Sequence, residues 1–172
     1  MESNRSFFIN NLPKSLLFLG ILIINIFNSQ ESPAKIQENL DIPKVVSYRL
    51  SSCSCCKKWV NHLRDNGLEV VDNIVEDISE IKKQYNVPNN LRSCHSAKIG
   101  NYIIEGHVPI KSINKLFEEK ARISGIAVPG MPHGSPGMET HSHASHSHNY
   151  DTYEVVSFSK NGKTKIFELI SP

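Results

Sequence analysis

Three cysteines in four positions, Cys53-Ser54-Cys55-Cys56, stand between a β-branched run and a segment whose apolar residues recur at helical spacing. No other stretch constrains the fold as much, because it requires a strand to end where a helix begins, with thiols at the helix N-terminus. There the unpaired N–H groups and the positive end of the macrodipole favour thiolate over thiol. Such a cluster suits soft-metal binding or redox exchange. Cys55 and Cys56 are adjacent and Cys53 is two positions from Cys55, which is poor geometry for two separate disulfides. A disulfide framework is the weaker reading.

The strand is Val45 to Leu50, and the helix runs from Cys55 to Asn66 with Trp59, Val60 and Leu63 on its apolar face and Gly67 as its stop. A second strand is expected over Leu68 to Val75. A short helix follows over Asp77 to Tyr85, with Ile78, Ile81 and Tyr85 on one face and Asp77 or Ser79 near its cap. This alternation argues for parallel strands joined by right-handed crossovers. Val87-Pro88 breaks the helix. Leu91 to Ile99 reads as a third strand, Gly100-Asn101 as a hairpin turn, Tyr102 to Glu105 as the antiparallel partner, and Pro109 as the first residue of a last helix through Ile113, Leu116 and Phe117. This order, with cysteines after the first strand, resembles the thioredoxin-like arrangement. Val87-Pro88 resembles its cis-proline element, which would lay Pro88 and the next strand beside Cys53, Cys55 and Cys56.

The expected fold is therefore α/β, a thioredoxin-like domain with a mixed central sheet over residues 44–120. A Met/His-rich loop over 121–150 and a C-terminal β-hairpin over 151–172, packed on the same domain, complete it. Gly125 to Met138 holds too many Gly and Pro residues for helix or sheet, whereas Asn161-Gly162 between alternating apolar residues signals the hairpin. Residues 1–34 place Arg5 and Lys14 ahead of an apolar run from Leu16 to Phe27, the pattern of a signal peptide or an N-terminal membrane anchor, and 35–43 reads as a linker. The chain is thus expected to be exported, periplasmic or anchored facing the periplasm, with membrane contact only through that segment. A net charge of +2 with interspersed signs offers no basic face for nucleic acid.

Cys53, Cys55 and Cys56 supply three soft ligands within one turn, and Cys94 from the neighbouring strand is the candidate fourth. His95 and His107 flank the same sheet end, and Met131 and Met138 lie in a loop with no evident reason to bury them. Thiolate with thioether selects Cu(I), whereas thiolate with imidazole also suits zinc. The methionines therefore favour copper. Each residue also has a plainer reading: Cys94 as inert packing, each histidine as a hydrogen-bonded structural residue, each methionine as a plug over the core. Trp59 and Tyr85 are assigned to packing, and Lys57 and Arg92 to an electropositive surround. Glu105 is read as a solvated strand-end carboxylate in preference to a partner that orients His107. The run from His141 to His148 suggests extra metal capture. No residue is assigned a catalytic role.

Several motifs then occur in one order. They are Cys53-x-Cys55-Cys56 with Trp59, Val87-Pro88, Leu91-x-Ser93-Cys94-His95-x-Ala97, and Tyr102-x-Ile104-Glu105-Gly106-His107-Val108-Pro109. Gly125-x-Ala127-Val128-Pro129-Gly130-Met131-Pro132 and Gly134-Ser135-Pro136-Gly137-Met138-Glu139 follow. Together they resemble the signature of the CopG-like family, exported thioredoxin-like metal-binding proteins linked to copper resistance and long catalogued as a domain of unknown function. The resemblance implies copper binding by Cys53, Cys55, Cys56 and Cys94 with His95, His107 and the methionine loop nearby, as Cu(I) or a polynuclear thiolate cluster. Ser96, where threonine is common, and the histidine run are its departures. The expected function is copper sequestration, redox cycling or tolerance, with copper ions and copper-transport or resistance proteins as partners. Two alternatives stay open: a thiol–disulfide oxidoreductase, weakened because Cys-x-Cys-Cys is not the usual dithiol spacing, and a zinc-binding module.

Overall fold

The computed structural model describes residues 41–139 and 150–171. Strand β1 (Val45–Arg49) buries alternate positions, Val45, Ser47 and Arg49, as a half-covered strand must. Its end turns directly into α1 (Ser54–Asp65), whose Cys56, Trp59, Val60 and Leu63 are buried. Asn66 closes the helix and Gly67 follows at φ 86°, a left-handed conformation that glycine adopts without steric cost.

From there β2 (Val70–Ile74) runs parallel to β1, α2 (Ser79–Gln84) follows, and β3 (His95–Ile99) returns antiparallel on the other side of β1. A tight turn at Gly100-Asn101 joins β3 to β4 (Tyr102–Glu105). Helix α3 (Ile110–Glu119) then crosses to β5 (Gly125–Ala127), parallel to β4, and the hairpin of β6 (Tyr153–Phe158) and β7 (Thr164–Ile170) extends the sheet. The seven strands form one mixed sheet in the order β2-β1-β3-β4-β5-β6-β7.

Two apolar clusters cover the two faces. On one, Trp59 and Leu63 of α1 and Ile113 and Leu116 of α3 pack against Val45, Ile99, Ile104, Ile126 and Val155. On the other, Val87 and Leu91 pack against Ile103, Ala127 and Phe158. Each such large apolar side chain contributes about 1.5–3 kcal/mol when fully buried, so the sheet is held from both sides.

The expected α/β fold with its mixed sheet, loop and C-terminal hairpin is present, and the element order is compatible with the thioredoxin-like arrangement. Four local expectations are corrected. Gly125–Ala127 is a buried strand, because Gly125 lets the backbone approach β4 where a Cβ would overlap the Ile103 carbonyl, and on the β6 side it would come within 2.8 Å of the Phe158 ring. The third strand starts only at His95, since Asn89–Leu91 forms a turn of 3₁₀ helix, and Cys94 therefore precedes the strand. Pro109 caps α3 from outside its first turn. Peptide bonds among the described residues are all trans, Val87-Pro88 included. The expected N-terminal targeting segment, all but the end of the linker, and the histidine run lie outside the described residues. Among the described residues no helix is long and apolar enough to cross a membrane.

Candidate metal centre

The site forms where β1 ends, β3 begins and β4 ends, opposite the first turn of α1. Helix α1 starts at Ser54 with Cys53 as its cap, and the Cys53 sulfur accepts a hydrogen bond from the Cys56 amide at 3.3 Å. A cysteine sulfur thus does the work usually given to Ser or Asp. The sulfurs of Cys53, Cys55, Cys56 and Cys94 all lie within 4.8 Å of one another. Cys94 reaches them from the turn ahead of β3, six residues beyond Pro88.

Cys53 and Cys56 are joined in a disulfide, and Cys55 and Cys94 are free. This corrects the spacing argument made from the sequence: Cys53 and Cys56 are themselves separated by two residues, so the Cys-x-Cys-Cys turn contains the oxidoreductase spacing within it. The free Cys55 sulfur sits 3.4 Å from that of Cys53.

A second group, Cys94, His95 and His107, brings its ligand atoms within the same 4.8 Å. His107 Nδ1 is 2.8 Å from the Pro136 carbonyl, which can only accept, so Nδ1 carries the proton and Nε2 presents a lone pair 3.1 Å from Cys94 Sγ. His95 Nδ1 lies 3.3 Å from the same sulfur. The His95 ring packs on Trp59 at 4.4 Å between centroids, and Trp59 is held by a 2.9 Å hydrogen bond from Nε1 to the Val108 carbonyl. Trp59 is therefore core and also the wall of the site.

Burial sets the protonation of all three. It pushes the Cys94 thiol up to about 11, with the neighbouring Cys55 adding to the rise. It holds His95 well below its ordinary value, assisted by the repulsion a second proton would meet from His107 and by the charge of Lys82, and lowers His107 despite the opposing Pro136 carbonyl. Both imidazoles are consequently neutral at pH 7, the form that binds metal. Binding a cation through Cys94 would therefore require that thiol to lose its proton.

The loop after β5 covers this site. Ser93 Oγ donates to the Gly130 carbonyl at 2.7 Å, and Pro136 holds His107. Gly137, at φ 88°, lies so close to α1 that a Cβ would come within 2.7 Å of the Cys55 carbonyl oxygen. Met131 is 53% exposed on this loop, which removes the reading of it as a hydrophobic plug, while Met138 is half-buried beside Gly137. Six of the eight candidate residues, Cys53, Cys55, Cys56, Cys94, His95 and His107, are thus brought together, with the methionines on the covering loop.

Glu105 is neither solvated nor in contact with His107. It is fully buried and accepts from Lys82 Nζ at 2.5 Å, the Ser93 amide at 2.6 Å and Ser96 Oγ at 2.5 Å. Sequence reasoning missed Lys82 because a lysine in a short polar helix carries no sign of burial. It missed Pro136 because the contact is through a backbone carbonyl. The two charged residues, Lys82 and Glu105, could have been found only as an unpaired strand carboxylate in need of a cation.

A mixed α/β sheet with a cysteine and histidine cluster at one end is a scaffold whose sulfur and imidazole donors could hold a metal ion. Residues 91–138 match the family model described as "Protein of unknown function, DUF411". Two solved structures of copper resistance protein CopG are similar. Form 2 is 38% identical with TM-score 0.67, covering 75% of this chain and 99% of that one, and form 1 is 37% identical with TM-score 0.68, covering 77% and 100%. Among curated proteins nothing matches. The chain belongs to the CopG family.

Proposed function

We propose that the reduced protein binds Cu(I) through Cys53, Cys55, Cys56 and Cys94, with His95 and His107 completing the donor set and Met131 and Met138 offering thioethers from the covering loop. The observation that carries this reading is the convergence within 4.8 Å of the three sulfurs at the start of α1 with the Cys94 sulfur from the turn ahead of β3. Sulfur donors with imidazole nitrogens beside them match the preferences of a soft monovalent ion. The copper-resistance names of the similar structures support the choice of metal. The protein serves copper tolerance outside the cytoplasm, taking up Cu(I) as cargo.

The disulfide adds redox cycling to this role. Two Cu(II) ions oxidising Cys53 and Cys56 would give two Cu(I), one S–S bond and two protons, and an external dithiol would return the thiols while becoming a disulfide itself. Anaerobic titration of the reduced protein with Cu(I) should reach a defined stoichiometry that collapses when Cys55 and Cys56 become Ser. Unchanged binding in that variant refutes the proposal.

The Cys53–Cys56 bridge also favours a second reading, a thiol–disulfide oxidoreductase. Robust insulin reduction by the metal-free protein would select it over copper binding.

A further inference from the structure

Lys82 is an unexpected residue to find inside the protein: it is 4% exposed, on a six-residue helix far from the cysteine turn in sequence. Its Nζ donates to Glu105 Oε1 at 2.5 Å and to Ser96 Oγ at 3.0 Å. Ser96 and Glu105 face each other across β3 and β4, on the opposite side of the strand from His95. The pair therefore stands behind the cluster and touches none of its ligands. Yet Glu105 Oε1 also accepts the Ser93 amide at 2.6 Å, and Ser93 is the residue before Cys94.

That contact matters because Ser93 and Cys94 lie between a 3₁₀ turn and the start of β3, where no strand ladder fixes the chain. Three contacts hold Ser93 instead. Its amide is held by Glu105, its hydroxyl donates to the Gly130 carbonyl, and its side chain lies against Gly106, where a Cβ would come within 2.7 Å of Ser93 Cβ. With the amide and hydroxyl both tied, the direction in which Cys94 leaves the turn is set.

We infer that Lys82 and Glu105 are positioning residues for Cys94: the buried ion pair clamps the Ser93 amide and so delivers the Cys94 sulfur to the other three. This rests on the copper-binding reading above for its purpose, though not for its geometry. A buried ion pair is a poor source of stability, because desolvating both charges offsets most of their attraction, and an apolar pair of similar volume commonly folds as well. What an apolar pair cannot do is accept the Ser93 amide. Outer partners of metal ligands typically matter through this kind of orientation.

Two double variants separate the clamp from the fold. Lys82→Met/Glu105→Leu removes the charges and the acceptor together, whereas Lys82→Met/Glu105→Gln removes the charges and keeps an amide oxygen for Ser93. In the reduced, metal-free proteins, iodoacetamide labelling of the Cys94 peptide followed by mass spectrometry should be at least about tenfold faster in the Leu variant and near wild type in the Gln variant. Cu(I) affinity measured by chelator competition should fall about ten- to a hundredfold in the Leu variant alone. A Leu variant with wild-type thermal midpoint, wild-type Cys94 labelling and wild-type copper affinity overturns the inference. Should the labelling difference appear in a protein that binds no copper, the clamp stands and the copper reading fails. Hydrogen exchange on the wild-type protein gives a check independent of any variant: the Ser93 amide should be protected, and an unprotected amide overturns the clamp.

Discussion

Cys94 Sγ and His107 Nε2 lie 3.1 Å apart, and the opposite nitrogen of that imidazole is committed to the Pro136 carbonyl. The free nitrogen therefore accepts from the thiol, and under the proposal both atoms would be available to a cation only once that proton leaves. Burial keeps that proton on Cys94 up to about pH 11. Metal uptake at neutral pH must then release it. Calorimetric titrations with Cu(I) in buffers of different ionisation enthalpy should show net proton release, reduced in Cys94→Ser. Uptake without proton release in the wild-type protein would contradict the assignment of Cys94 as a ligand.

Oxidation should close the site. With Cys53 and Cys56 bridged, only Cys55 and Cys94 remain as thiols. Losing two ligands outright should weaken Cu(I) binding by more than about a hundredfold, the upper range for loss of a mere outer partner. Chelator competition on the oxidised protein, before and after treatment with a metal-free phosphine reductant, measures this directly. Recovery on reduction is the expected result.

Acid should destabilise the metal-free protein before carboxylate titration dominates. His62, His95 and His107 are all lowered by burial from an ordinary value of 6.5, and His62 Nε2 accepts the Ile110 amide at the start of α3 at 3.4 Å. The unfolded chain takes up protons near 6.5 that the folded chain refuses, so this contribution is full above that value and is lost as pH falls through the folded values. Urea denaturation between pH 8 and about 5 should show stability falling below about 6.5, and His62→Gln, which keeps an acceptor for Ile110, should flatten part of the decline.

Gly137→Ala probes the packing of the loop on the helix. The φ of 88° alone costs an alanine about 1–2 kcal/mol, and its Cβ would press on the Cys55 carbonyl oxygen. We expect a lower thermal midpoint together with weaker metal binding, because relief of the clash moves either the Pro136 contact or the first turn of α1. An equally spaced control, Gly162→Ala in the β6–β7 turn, has open space around its Cβ and should lower stability without touching the site.

Much of this arrangement was legible in the chain itself. The thiols sit on a helix start because β-branched Val45 and Val46 precede them and Trp59, Val60 and Leu63 follow at helical spacing, which are local patterns. The C-terminal hairpin was equally local. Gly125–Ala127 was hidden because its strand character comes from β4 and β6 on either side rather than from its own composition. Lys82 and Glu105 were hidden for the same reason, since each is tolerable inside only through the other. The oxidoreductase spacing of Cys53 and Cys56 is present in the sequence but masked, because Cys55 stands between them.

X-ray absorption at the copper edge tests the central claim most directly, since it reports oxidation state and ligand atoms together. Reduced protein loaded anaerobically should give a Cu(I) edge and a first shell dominated by sulfur, and that shell should lose sulfur in Cys94→Ser. A first shell of nitrogen and oxygen alone, or a sulfur shell indifferent to Cys94, would contradict it.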